Sequence, residues 1–328
     1  MTDKEYFADK EFLTNTMLGW ILVSPQYFKK QISLLGLDKE TTERYFVFGG
    51  AVHCRLLENK EFANRYFVSA ANSPSNVVQK KFCTLLSVHK KIDDKSLVSA
   101  YKLSYSTEKM KEEDILKKAK ELYETYSEYV SEQRNKGDKI ELTSYEYDSI
   151  LAIERNILFN ARAKELLFSK NDTENNEFII FFTFREIKFK SKIDRFIIDV
   201  ENKTITIIDI KTHSPKREGS NLQKSFEKSF FEFNYDRQLY LYTTAVVSHF
   251  IEKYPEEDLS LYKIEQKIIL IKANFDNEVL VINLDESILN SGEENFNKAF
   301  DMYNYYEANG YDKVFGLNSQ GEITLFKK

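Results

Sequence analysis

Cysteine, proline and tryptophan are scarce in this chain of 328 residues, at two, four and one. Two thiols, Cys54 and Cys83, cannot furnish a four-thiolate zinc or iron–sulfur site and give no disulfide framework, so both read as plain buried or half-buried thiols. No apolar run approaches the roughly 18 residues of a membrane-spanning helix. The opening MTDKEYFADKEF is too charged for a secretory signal, so the expected location is cytoplasmic. Internal repeats, low-complexity tracts and Pro/Gly/Ser-rich linkers are also lacking. One continuous domain over 1–328 is therefore expected, with a helical insertion at about 72–145. A net charge of −5 argues against indiscriminate coating of nucleic acid but leaves room for a local basic channel.

What is present is ordinary globular material, 42% hydrophobic and 30% charged, long enough to bury a large core. Its 26 Phe and 20 Tyr sit in alternating runs such as FIIFFTF, where they read as core. Helices are expected over 11–35 and 41–58, and a short strand at 66–70. A charged amphipathic helix over 108–135 buries Ile115, Leu116, Ala119, Leu122, Tyr123 and Tyr126, and Gly137-Asp138 stops it. Thr143 with Glu146 is a capping box opening a helix to about 168, followed by a polar loop at 171–176. Strands follow at 177–184, 187–198 and 203–211, then a polar loop over 215–228 and a helix over 233–252. Strands at 264–273 and 278–283 and a helix at 293–308 complete the pattern. Helices before and after a mixed sheet imply an α/β or α+β core.

The most telling stretch is KSKIDRFIIDVENKTITIIDIK. Period-two reading of ITIIDIK puts Asp209 and Lys211 on one strand face. A turn at Glu201-Asn202-Lys203 would fold the preceding strand back and bring Asp194 towards Asp209. Two carboxylates and a lysine converging there suit a hard divalent cation and metal-assisted hydrolysis of a phosphodiester. Between Arg185 and Lys228, eleven Lys/Arg face seven Asp/Glu, a local basic surplus in an acidic chain. Lys188, Lys190 and Lys192 share one strand face and would line up beside Asp194 as phosphate contacts, with Lys216, Arg217 and Lys224 clamping from the following loop.

In this order the motifs resemble the PD-(D/E)XK nuclease superfamily, with its restriction-endonuclease-like core, and within it the RecE-like and phage-type exonucleases related to the RecB nuclease domain. SPQYFKK at 24–30 is similar to the family's opening helix. FGGAVHCRLLENKEF at 48–62 matches its Gly-x-x-x-His segment. Glu177 precedes a hairpin into KSKID, Asp194, Asp209 and Lys211 fall on the motif proper, and Gln238 and Tyr242 on the Gln-x-x-x-Tyr helix. SGEENFNKAFDMYNYYEANGY resembles the closing helix. Two departures are an Asp rather than a Glu at 209 and Ile193 in place of the family's Pro.

The resemblance implies that His53, Asp194, Asp209 and the Ile210 carbonyl hold one or two Mg²⁺ or Mn²⁺ ions, with Lys211 positioning and helping to deprotonate the attacking water. Glu177, and more weakly Glu186, would serve a second ion or orient Lys211. Gln238 and Tyr242, with Lys190, Lys192, Lys216 and Arg217, would meet the substrate. It further implies a DNA exonuclease acting on double-stranded ends in recombination or replication, in a bacterial or phage setting. A single-strand annealing protein would be its partner, and the protein itself would form a homo-oligomeric ring of three or four subunits. The missing Cys quartet excludes the iron–sulfur branch. An endonuclease, a flap or single-strand nuclease, and a silent DNA-binding module on the same fold are the other readings.

Overall fold

The structure, a computed structural model, describes residues 3–37, 43–168, 175–215, 220–273 and 276–312. Helices α1 (Asp3–Ala8), α2 (Asn15–Val23) and α3 (Pro25–Leu34) open the chain. There follow α4 (Arg44–Leu57), α5 (Asn59–Arg65), β1 (Tyr66–Val68), α6 (Val77–Ser87), α7 (Asp94–Ser104), α8 (Glu112–Asn135), β2 (Ile140–Leu142), α9 (Ser144–Phe159) and α10 (Ala161–Phe168). The remainder is β3 (Asn176–Phe184), β4 (Ile187–Asp199), β5 (Thr204–His213), α11 (Leu222–Glu232), α12 (Tyr235–Lys253), β6 (Lys263–Lys272), β7 (Val279–Asn283) and α13 (Glu286–Asn309). The chain divides into two compact units, residues 44–154 and the two flanking segments together.

In the unit of residues 44–154, α6, α7 and α8 pack on Phe82, Cys83, Leu86, Leu97, Tyr101, Ile115, Ala119 and Tyr129. Glu112, Glu113 and Asp114 fill the first turn of α8, where acids favour the helix dipole. The anticipated apolar stripe of that helix faces this cluster, and both cysteines are buried thiols. The Thr143–Glu146 capping box is present: the Thr143 amide donates to Glu146 Oε2 at 2.8 Å, and the Glu146 amide to Thr143 Oγ1 at 3.2 Å. β1 and β2 form a two-stranded parallel ribbon, of which only the first strand was expected.

In the other unit five strands run in the order β3-β4-β5-β6-β7. All neighbours are antiparallel except β5 and β6. This mixed sheet flanked by helices is the architecture expected, and its strand limits fall within a residue or two of the periodicity. The β3–β4 turn is Arg185-Glu186, with φ of 49° and 68°, the pair of left-handed residues that a tight two-residue hairpin requires. Isoleucine-rich β5 and β6 are central, and Ile268 to Ile271 are fully buried. One sheet face is covered by α2, α12 and α13 over Ile205, Ile207, Ile193 and Phe196, and by α11 over Ile268 and Leu270.

Three expectations are corrected here. Ser24-Pro25 divides the first long helix into α2 and α3, Ser24 capping the second by accepting the Tyr27 amide at 3.0 Å. The helix from the capping box breaks after Phe159. The polar segment 215–228 is not wholly loop, because Asn221 caps α11, whose Leu222, Phe226 and Phe230 recur at helical spacing and dock on β6.

α12 and α13 cross closely. Asp236, buried at the start of α12, accepts from Ser291 Oγ at 2.7 Å and Asn295 Nδ2 at 2.6 Å. A Cβ at Gly292 would run into the Asp236 carbonyl, so only glycine permits this approach.

Candidate active site

The sheet is irregular at one level, and the acidic residues stand there. Asn176↔Arg195 and Phe178↔Ile193 are β3–β4 partners, which sets Glu177 opposite Asp194. Counting on from Arg195↔Ile208 sets Asp194 opposite Asp209. Glu177 has φ of 49°, which costs a non-glycine residue about 1 kcal/mol or more. Ile193 and Phe196, three apart on β4, both face the same core, so strict alternation breaks between them. The break re-aims Asp194: its Oδ2 accepts the Ile210 amide at 2.7 Å.

A carboxylate oxygen of Glu177 and one of Asp194 lie within 4.8 Å of each other. Lys192 neutralises part of that charge through a 2.7 Å ion pair with Glu177. Asp209 is fully buried, with 0% of its surface exposed. Its Oδ1 accepts from Lys211 Nζ at 2.9 Å. Its Oδ2 is 2.8 Å from the same ammonium but outside hydrogen-bonding angle, and is left without a hydrogen-bond partner among the described residues. An orphaned, buried carboxylate oxygen at the level of two further carboxylates is a donor set that fits a hard cation. Glu177, Asp194 and Asp209 would hold it.

Lys211 is braced from three sides. Beyond Asp209 it donates to Gln238 Oε1 at 3.1 Å and lies 4.6 Å from the centre of the Tyr235 ring. Gln238 Nε2 in turn donates to Tyr242 Oη at 2.8 Å. Burial lowers the pKa of the Lys211 ammonium, but Asp209 and Asp194 outweigh it, and the net shift is upward. The lysine is therefore held charged. Tyr242 is pushed well above the ordinary phenol range by burial and by the same two carboxylates, so it keeps its proton.

The remaining candidates are distributed differently. Glu186 occupies the hairpin tip, about 26 Å along β4 from Asp194 at ~3.3 Å per residue, and stands apart from the acidic level. Each of the three lysines expected beside Asp194 as a phosphate contact has an acidic neighbour. Lys188 bonds Glu11 at 2.5 Å, and Lys192 takes Glu177. Lys190 is 1% exposed, donates to the Tyr6 carbonyl at 2.5 Å and lies 3.4 Å from Asp9, so its ammonium faces the N-terminal helix. Lys224 lies on α11 rather than in a loop. Lys216 and Arg217 lie outside the described residues. His53 lies on α4, in the unit of residues 44–154. Tyr235 was missed by sequence reasoning; its only signal is its position three before Gln238, one helical turn away.

Comparison with known proteins agrees with this geometry. Residues 33–304 match the family profile of the PD-(D/E)XK nuclease superfamily, spanning Glu177, Asp194, Asp209 and Lys211. A crystal structure from Eubacterium rectale, described as a "Putative exonuclease", superposes with a TM-score of 0.50 at 11% identity. That likeness covers 100% of this chain and 95% of the other, and it shows the fold. No curated protein sequence matches the chain. By its strand-level acids, its lysine and the extent of the profile match, the chain belongs to the PD-(D/E)XK nuclease superfamily.

Proposed function

We propose that the protein is a metal-dependent DNA exonuclease of RecE-like type, hydrolysing phosphodiester bonds from double-stranded ends. The observation that carries the reading is the convergence of Asp209, Lys211 and Gln238 beside the Glu177–Asp194 pair. A bound Mg²⁺ or Mn²⁺ would supply Lewis-acid activation of water and neutralise charge on the scissile phosphate. The chain's own residues do the rest. Glu177, Asp194 and Asp209 offer oxygen ligands, with the Ile210 carbonyl and His53 added by the family resemblance. Lys211 has three N–H donors, of which Asp209 and Gln238 take two, leaving one for the water or a phosphate oxygen. Because the lysine is charged, it orients and stabilises negative charge rather than removing a proton at the outset. Gln238 and Tyr242 fix its position.

The exonuclease name of the Eubacterium rectale neighbour agrees with this choice. A role in recombination or replication, a single-strand annealing partner and a trimeric or tetrameric ring belong to the same proposal. The test is a time course on end-labelled linear duplex and covalently closed circular duplex, with magnesium, manganese or EDTA. Degradation of the linear form alone, and only with metal, is expected; attack on the circle would replace the exonuclease by an endonuclease.

A further inference from the structure

We propose that α11 and the turn after it form a track for a single DNA strand leading to the active site. Lys224 and Lys228 would take backbone phosphates, and Phe231 and Phe233 would stack on bases. The inference rests on the nuclease reading for its substrate class and adds a binding surface that the metal site does not require.

The sequence LQKSFEKSFFE carries two faces. Leu222, Phe226 and Phe230 are buried against β6. Lys224, Lys228 and Phe231, at i, i+4 and i+7, form a stripe on the exposed side. Neither lysine enters an ion pair among the described residues, in contrast to Lys188, Lys190 and Lys192. Phe231 and Phe233 are 54% and 59% exposed, a poor use of phenyl rings in the absence of a partner.

Position separates Phe233 from other exposed aromatic side chains such as Phe7, Phe46 and Phe159. The Phe233 ring is 5.9 Å from the Tyr235 ring, and the Tyr235 ring is 4.6 Å from Lys211 Nζ. Phe233 therefore stands within roughly 10 Å of the ammonium proposed to meet the scissile phosphate, the range of a neighbouring nucleotide given DNA's ~3.4 Å rise per strand. The turn is also closed by backbone hydrogen bonds. Phe233 closes α11 with its amide bonded to Ser229 O at 2.9 Å, and Asn234, at φ 53°, reverses the chain into α12. With the backbone that carries the Phe233 ring already fixed, less order remains to be gained when a base stacks on it. Ammonium groups beside aromatic rings are the combination that binds single strands without reading sequence.

The experiment measures binding of the full-length protein in EDTA, by fluorescence anisotropy, to single-stranded oligonucleotides with all bases present or with consecutive abasic sites. Wild type should favour the intact strand by about tenfold. Phe231→Ala/Phe233→Ala should abolish that preference by weakening only the intact strand, and Phe231→Trp/Phe233→Trp should restore it. Lys224→Gln/Lys228→Gln should instead weaken both strands equally and reduce the slope of log affinity against log salt by about 1.4. A preference retained in the alanine variant overturns the proposal, as does a wild type that does not bind single strands. It is also overturned if the alanine variant changes only the mass of the particle in light scattering, which would assign the face to a second copy of the chain. Since no cleavage is read, failure of the nuclease assignment is scored separately, by inert linear duplex with metal present.

Discussion

Asp209→Asn is the sharpest perturbation of the proposed metal site, because it keeps the shape of a fully buried side chain and removes its charge. In the metal-free protein, Glu177, Asp194 and Asp209 oppose the ammonium groups of Lys192 and Lys211, an excess of one negative charge. The orphaned Oδ2 adds the desolvation cost of an unsatisfied polar atom, about 1–3 kcal/mol. A cation bound at one hundred times its Kd should stabilise the native state by about 2.7 kcal/mol. At ~2–4 °C per kcal/mol for domains of 150–250 residues, wild type should melt about 5–10 °C higher with saturating magnesium or manganese than in EDTA. In the variant, Lys211 loses its ion pair but retains Gln238, Tyr235 and a 16% exposed side chain, so the metal-free cost should stay below the ~3–5 kcal/mol of a buried pair that loses one partner. The cation-dependent rise should vanish. Differential scanning calorimetry of both proteins, with each metal and with EDTA, measures the two quantities separately. An Asp209→Asn protein that gains the same increment on adding cation would refute the assignment of Asp209 as a ligand.

Lys211→Ala should abolish cleavage while preserving the cation-dependent rise in melting temperature, checked by nuclease assay and calorimetry on one preparation; normal cleavage would move the chemistry elsewhere. The folded pKa of Lys211 lies above its ordinary value of 10.5. Its contribution to stability is therefore complete below that value and lost as pH rises through the raised one, and the alanine variant should show a flatter alkaline limb in urea titrations. Glu177→Gly relieves a left-handed residue but loses the Lys192 ion pair, so stability should stay within about 1 kcal/mol of wild type. Its cleavage should fall at least 100-fold, and retained activity would make Glu177 a structural residue only. Glu265 is held at about 2 by hydrogen bonds from Lys263 and Lys267. It stabilises the fold above its ordinary pKa of 4.5, and that support disappears as pH falls towards 2. Glu265→Gln should thus lose roughly 1 kcal/mol at pH 6 and nothing near pH 2, read from paired acid titrations. His53→Ala should raise the metal concentration needed for half-maximal cleavage; an unchanged requirement would remove it from the ligand set.

The sheet was legible because its strands alternate β-branched and aromatic residues and its turns carry Arg185-Glu186 and Asn202-Lys203 at the reversals. Asp209 and Lys211 were legible for the same reason, two residues apart on one strand. The full burial of Asp209 was not, since the sequence alone places it at a strand end. Nor was the break in alternation after Ile193, because periodicity presumes the regular pleat that this irregularity abandons. The ion pairs of Lys188 and Lys190 were not legible, because their partners, Glu11, Asp9 and the Tyr6 carbonyl, come from the far N-terminus. The start of α11 was hidden by polar composition, although Leu222, Phe226 and Phe230 carried the helical period. Tyr235 could have been found from its helical spacing to Gln238, but nothing in the sequence ties its ring to Lys211.

The crossing at Gly292 has a reach beyond its own neighbourhood. Asp236, whose carbonyl faces that glycine, is two positions before Gln238 on the same rigid rod. A methyl group added at 292 would pry α12 off α13 and roll it about its axis, carrying the amide of Gln238 away from Lys211. The closing helix thus serves as a tuning peg for the lysine that Gln238 braces, and Gly292→Ala should blunt turnover while leaving the proposed ligand carboxylates on β3, β4 and β5 in place.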